Sequence, residues 1–153
     1  MTVRLSTGFR DMLLGTSAFR DIFERGVIHV YTGSQPSSAN NAATGTLLGK
    51  ITESAGSFTF GSTDNGLLFA APEDGLIAKD TNQTWQLEGI ADGTAGWARL
   101  MGNALDDEGA SESLPRIDFS VGGSSADLVL NNTSIATGAV TTIDQFRYRI
   151  LGQ

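Results

Sequence analysis

The stretch "GVIHVYT", residues 26–32, decides the fold, because the spacing of apolar residues changes there from helical to alternating. Ile28 and Val30 alternate with His29, as on a strand with one buried face. Toward the N-terminus, "RLSTGFRDMLLGTSAFRDIFERG" sets Leu5, Phe9, Met12 and Leu13 at i, i+4, i+7 and i+8, one face of a helix. Gly15 reads as its stop and Ser17 as the cap of a second short helix bearing Phe19, Ile22 and Phe23. Residues 1–26 are expected to form a helical arm.

Toward the C-terminus the period of two persists. "GTLLGKIT", "SFTFGSTDNGLLFAAP", "GLIAK", "QTWQLEGI" and "TAGWARLMG" read as successive strands. Asp64-Asn65-Gly66 marks a tight turn, since Asn and Gly tolerate positive φ. Beyond an acidic loop ending at Pro115, "RIDFSV" sets Ile117, Phe119 and Val121 on one face and Arg116, Asp118 and Ser120 on the other. "ADLVL" and "TTIDQFRYRI" follow, the last with Phe146, Tyr148 and Ile150 opposite Arg147 and Arg149. Short strands without intervening helices predict a mainly β fold, an antiparallel β-sandwich of jelly-roll type with a short helical N-terminal segment. Residues 27–153 form the sandwich and residues 1–153 one domain.

The bulk composition agrees. Of 153 residues 40% are hydrophobic and only 18% charged, and the 19 glycines suit turns and short strands better than long helices. No cysteine is present, which removes disulfides, thiolate metal sites and cysteine nucleophiles. No signal peptide is legible at the N-terminus and no apolar run approaches the roughly 20 residues that cross a bilayer, so a soluble chain is expected. The net charge of −7 is uneven: residues 51–115 carry Lys79 and Arg99 against eleven carboxylates. A nucleic-acid partner is not expected, because no basic stripe exists to neutralise phosphates.

Few residues suit chemistry. His29, the sole histidine, lacks a second His or Cys for a metal site, and on its strand it is expected to be exposed or at a contact surface. "GSTDNGLL" has Leu67 and Leu68 where a phosphate loop needs Lys and Ser or Thr. Asp106, Asp107, Glu108 and Glu112 miss the spacing of a calcium loop and read as a solvated acidic loop, with weak calcium binding as the next reading. A carboxylate pair for glycoside hydrolysis has no support beyond the carboxylates themselves. Trp85 shares a face with Leu87 and reads as core. Trp97 shares its face with Ala95 and Arg99, and reads as core or as an interface residue. No catalytic residue, cofactor or metal is expected.

"GIADGTAGWARLMGN" and "RIDFSVGGSSADLVLNNTSIATGAVTTIDQFRYRI" resemble a class of small tailed-bacteriophage proteins. The matching residues are Gly93, Thr94, Ala95, Trp97 and Arg99, then Val121, Gly122, Ser124, Ala126, Asp127, Leu128 and Leu130. They continue with Thr133 to Ile135, Gly138, Ala139, Thr142, Ile143 and Phe146. "RLSTGFRDMLLG", "FRDIFERGVIHVYTGSQP" and "GTLLGKIT" are similar to the same class's front half. The resemblance implies a non-enzymatic virion structural protein that decorates or cements the capsid exterior, made in the host cytoplasm. Its implied partners are the major capsid protein and further copies of the chain, a trimer being the leading expectation. A tail or head–tail-junction module that binds a receptor or carbohydrate through Trp85 or Trp97 is the alternative.

The loop 32–45 is long for a connection without secondary structure, and such loops are usually functional or disordered. With the helical arm it is expected to be a contact arm. The interface set is Phe9, Phe19, Phe23, His29, Tyr31, Gln35, Pro36, Trp97 and Arg99.

Overall fold

The computed structural model describes residues 3–150. In chain order the elements are β1 (Arg4–Leu5), α1 (Thr7–Gly15), α2 (Phe19–Phe23), β2 (Val27–Thr32), β3 (Leu47–Glu53), β4 (Leu76–Ala78) and β5 (Trp85–Gly89). They continue with β6 (Gly93–Met101), β7 (Arg116–Gly122), β8 (Leu128–Val129), β9 (Ser134–Ile135), β10 (Val140–Thr142) and β11 (Arg147–Arg149). The fold is mainly β and sandwich-like, with layers of unequal size. One sheet runs β1-β7-β6-β2-β3-β5-β10, with β8 added to β7 and β9 to β6, and a two-stranded sheet pairs β11 with β4. All pairings are antiparallel except β7 with β8.

Register turns the alternating sequence into rows. Leu5, Ile117, Leu100, Ile28, Ile51 and Leu87 occupy successive partner positions across six strands of the large sheet. That row faces the second layer, where both helices and the small sheet bury their apolar side chains. Phe9, Phe19 and Phe23 pack with ring centroids 5.0–6.0 Å apart, and Phe19 stacks on Tyr148 at 5.2 Å. Trp85 is core as its alternation predicts, edge-on to Phe69.

Helix α1 begins where Ser6 accepts a hydrogen bond from the Phe9 amide at 3.1 Å, and it ends at Gly15 as expected. Ser17 does not cap α2. The cap position is Ala18, whose amide donates to the Asp21 carboxylate at 3.3 Å.

Two expected strands resolve differently. In "SFTFGSTDNGLLFAAP" Asn65 makes its turn at φ +56°, but Leu67 and Phe69 form only isolated bridges, to Gly26 and Lys79. "TTIDQFRYRI" is two strands. Residues through Thr142 belong to the large sheet, Ile143 and Phe146 are buried between the layers, and Arg147–Arg149 joins the small sheet.

The three phenylalanines assigned to a contact arm therefore belong to the chain's own core. Phe9 and Phe23 are wholly buried. Truncating a fully buried aromatic costs about 3–5 kcal/mol. Phe23→Ala is expected to lower the unfolding free energy by that amount, read as a fall in the urea midpoint.

Candidate functional site

Next to the apolar row lies a charged one. Glu88, Lys50, His29, Arg99, Asp118 and Arg4 are successive partners across β5, β3, β2, β6, β7 and β1. Partners in register share a face, so these side chains project from the side of the sheet away from the core. Polar residues at such positions normally meet water. Here the middle of the row does not: His29 is 5% exposed, and Arg99 and Asp118 are 0% exposed.

The cover comes from two loops, residues 33–46 and 102–115. They are tied to each other through Ala43 N–H to Glu108 C=O at 3.0 Å and Ser111 N–H to Asn40 C=O at 2.8 Å. They are tied to the sheet by Trp97 Nε1–H to Thr44 C=O and Arg99 Nη2–H to Asn41 C=O, both 3.1 Å. Close approach is possible because β6 carries Gly96 there. A Cβ at Gly96 would overlap the Gly33 carbonyl oxygen.

Beneath this roof the charges are paired, though among the described residues Arg99 Nη1, Arg116 Nη1, His29 Nε2 and Glu108 Oε1 have no hydrogen-bond partner. Arg99 grips Asp118 with two hydrogen bonds of 2.7 and 2.9 Å. Arg116 grips Asp106 at 2.7 and 2.6 Å. Such two-point contacts match the flat guanidinium fork to a carboxylate. Glu108 reaches down from a left-handed backbone, φ +62°, to accept from His29 Nδ1–H at 2.9 Å and from the Tyr31 hydroxyl. Tyr31 stacks on Trp97 at 4.7 Å, and the Arg99 guanidinium lies 5.3 Å from the Trp97 ring centroid.

The ionisation of the site follows from this packing. Burial alone would raise the Glu108 carboxyl, but the His29 and Tyr31 donors and the Arg99 charge outweigh it and hold it below its usual range. Burial, with Glu108 as its neighbour, pushes the Tyr31 hydroxyl far above its usual range. Burial also raises Asp118, against the pull of Arg99. Arg99 keeps its charge at neutral pH, because a guanidinium does not surrender its proton there.

The expected interface residues thus lie elsewhere than at the surface. His29, Tyr31, Trp97 and Arg99 are floor beneath the loops, not exposed contacts. Pro36 is buried, and its carbonyl accepts from Arg4 at 2.8 Å; the Gln35 carbonyl accepts from the same nitrogen at 3.4 Å. The loop read as a contact arm is folded back on its own sheet. Of the acidic loop, Asp107 and Glu112 are exposed, but Asp106 is buried against Arg116 and Glu108 is half-buried, so that loop is not simply solvated. Among the described residues no three His, Asp or Glu side chains converge as a metal site. Neither tryptophan offers a face to a sugar, since both are wholly buried.

Sequence reasoning missed Arg116 and Asp118, and it read Asp106 as part of a solvated loop when the carboxylate is buried against Arg116. The available signal was Arg116 and Asp118 alternating on a strand between apolar neighbours. Only the register, which sets Arg99 opposite Asp118, assigns the partner. A separate groove of about 550 Å³ runs between α2 and the small sheet, floored by Phe19, Ile77 and Tyr148, and shares no residue with the roofed cluster.

No family model, curated protein or solved structure matches the chain.

Removing one partner of a buried ion pair strands the other charge, at a cost of about 3–5 kcal/mol. Arg99→Met is expected to destabilise by that order, and Arg99→Met/Asp118→Leu to regain most of the loss, both read by chemical denaturation. For Glu108 the sign is that of a depressed carboxyl, whose stabilisation is present above the ordinary value of 4.5 and lost as pH falls through the lower folded value. The stability gap between wild type and Glu108→Gln should therefore be open at pH 7 and close progressively below about 4.5. Tyr31 gives the opposite limit: its raised value stabilises below the ordinary 10.0 and weakens the fold as pH rises above it.

Proposed function

We propose that the chain is a non-enzymatic virion structural protein of a tailed bacteriophage, a subunit that decorates or cements the capsid exterior. Its partners in this reading are the major capsid protein and other copies of itself, and it reaches the particle after synthesis in the host cytoplasm. The observation that carries the reading is the fate of the reactive side chains. His29, Glu108, Tyr31, Arg99 and Asp118, which acid–base chemistry would need open to a substrate, are joined to one another and roofed by two loops. They act as fasteners. The resemblance of residues 93–146 to small tailed-phage proteins supports the same reading.

The exposed charges of residues 51–115 fit a basic partner: Asp64, Glu73, Asp74, Glu88, Asp92, Asp107 and Glu112 are exposed, whereas Lys79 is half-buried and Arg99 is turned inward. Charges of one sign on an exposed surface steer association with a complementary surface and are screened by salt.

The test is to add purified protein to capsids lacking it and to locate it on the particle by cryo-electron microscopy. Density on the capsid exterior, with binding that weakens as salt rises, is the expected result. Density confined to the tail or the head–tail junction, or no binding at low salt, overturns the proposal.

A further inference from the structure

We propose that β10 is a self-pairing edge, through which two copies of this chain join their large sheets across a two-fold axis at Thr141. β10 ends the large sheet, with β5 on one side and, among the described residues, no strand on the other. Its register sets Val140, Thr141 and Thr142 opposite Glu88, Leu87 and Gln86. Gly89 N–H bonds to Ala139 C=O and Ile143 N–H to Trp85 C=O, both at 2.9 Å. In an antiparallel ladder these bonds make Val140 and Thr142 the non-bonded positions toward β5, and Thr141 the bonded one. The amide and carbonyl of Val140 and of Thr142 therefore point out of the sheet, and among the described residues they have no backbone partner.

That pattern is its own complement. With two copies antiparallel and centred on Thr141, Val140 of one meets Thr142 of the other as a bonded pair, twice over by symmetry. Four hydrogen bonds form, and no bond to β5 is disturbed. A two-fold contact of this kind uses the same surface on both subunits.

The edge is short, as protected edges often are, but it carries none of the other usual protection. Natural edge strands carry charges, prolines or bulges that refuse another strand. β11 has exposed Arg147 and Arg149, and β1 is a two-residue strand beginning with Arg4. β10 is Val-Thr-Thr, uncharged and β-branched. Beside it lies apolar surface that a second copy would cover: Val140 is 54% exposed, and Ile90, the residue after β5, is 57% exposed. The pairing sets Val140 opposite Thr142 of the other copy and brings no like charges together. Three residues per strand make a small contact, so the dimer is weak in solution and gains from the high local concentration of a particle surface.

The pairing rests on backbone geometry and not on the capsid reading, so the two fail separately. Sedimentation over a concentration series into the millimolar range is expected to show a monomer–dimer equilibrium. Hydrogen exchange at the high end should slow at the Val140 and Thr142 amides and stay unchanged at Thr141. Thr142→Pro removes an outward N–H that the monomer's ladder does not use, as edge positions allow. Val140→Lys adds an edge charge and keeps the backbone intact. Each is expected to weaken the dimer at least about tenfold, as the loss of two hydrogen bonds or the entry of a charge would. A strict monomer, a trimer, or a dimer indifferent to Val140→Lys overturns the proposal. So does an edge protected only when capsids are added, which would give it to a strand of the capsid protein.

Discussion

The bidentate contact between Arg99 and Asp118 is the constraint around which the outer layer is arranged. Both sit mid-strand on neighbouring strands, and both are fully buried. A guanidinium and a carboxylate taken out of water repay their desolvation only through good mutual geometry and further hydrogen bonds. Arg99 receives both: two bonds to Asp118 and a third to the Asn41 carbonyl, with the Trp97 face alongside. The third bond comes from a loop. The pair thus fixes where the loop 33–46 must lie, and that loop in turn holds the acidic loop through Glu108.

The large sheet separates two kinds of interior. On one side the apolar row of Leu100, Ile28 and Ile51 meets aromatic rings, and the stabilisation scales with area removed from water. On the other side, one residue out of phase, His29, Arg99 and Asp118 meet loop carbonyls and carboxylates. The two sides cannot be exchanged. Because side chains alternate, a register slip of one residue would drive Arg99 and Asp118 among the phenylalanines and Leu100 and Ile117 among the carboxylates. The Arg99–Asp118 pair spans β6 and β7, so the same slip would also part its two charges.

The inner side of the sheet was legible in the sequence and the outer side was not. Ile28 and Val30, or Ile117 and Phe119, declare their face through alternation, and the change of period at Gly26 separates helices from strands. The inference fails at the assumption that the other face is wet. His29, Arg116 and Asp118 look solvent-facing because alternation reports only which side chains share a face, and says nothing of what covers it. The cover comes from residues 33–46 and 102–115, loops without period, the first held through its backbone carbonyls and the second through the Asp106 and Glu108 side chains. Backbone carbonyls leave no trace in residue types, and the spacing of the two carboxylates does not name their partners. "TTIDQFRYRI" misleads for a related reason: its alternation is continuous, yet the chain passes from one layer to the other at Ile143.

Ser6 joins the two ends of this arrangement. Its hydroxyl accepts from Phe9 N–H and from Arg116 N–H, and donates to the Leu114 carbonyl, bridging positions 110 residues apart. β1 likewise pairs, among the described residues, with β7 alone. During synthesis the first 25 residues emerge long before the strand they seat against. At about 5–20 residues per second the delay is roughly 5–20 s. For that interval Phe9, Phe19 and Phe23 face an incomplete sheet, and α1 is shorter than the length at which an isolated helix holds in water. The nascent chain therefore carries these three rings, through that interval, without the strand that closes over their segment.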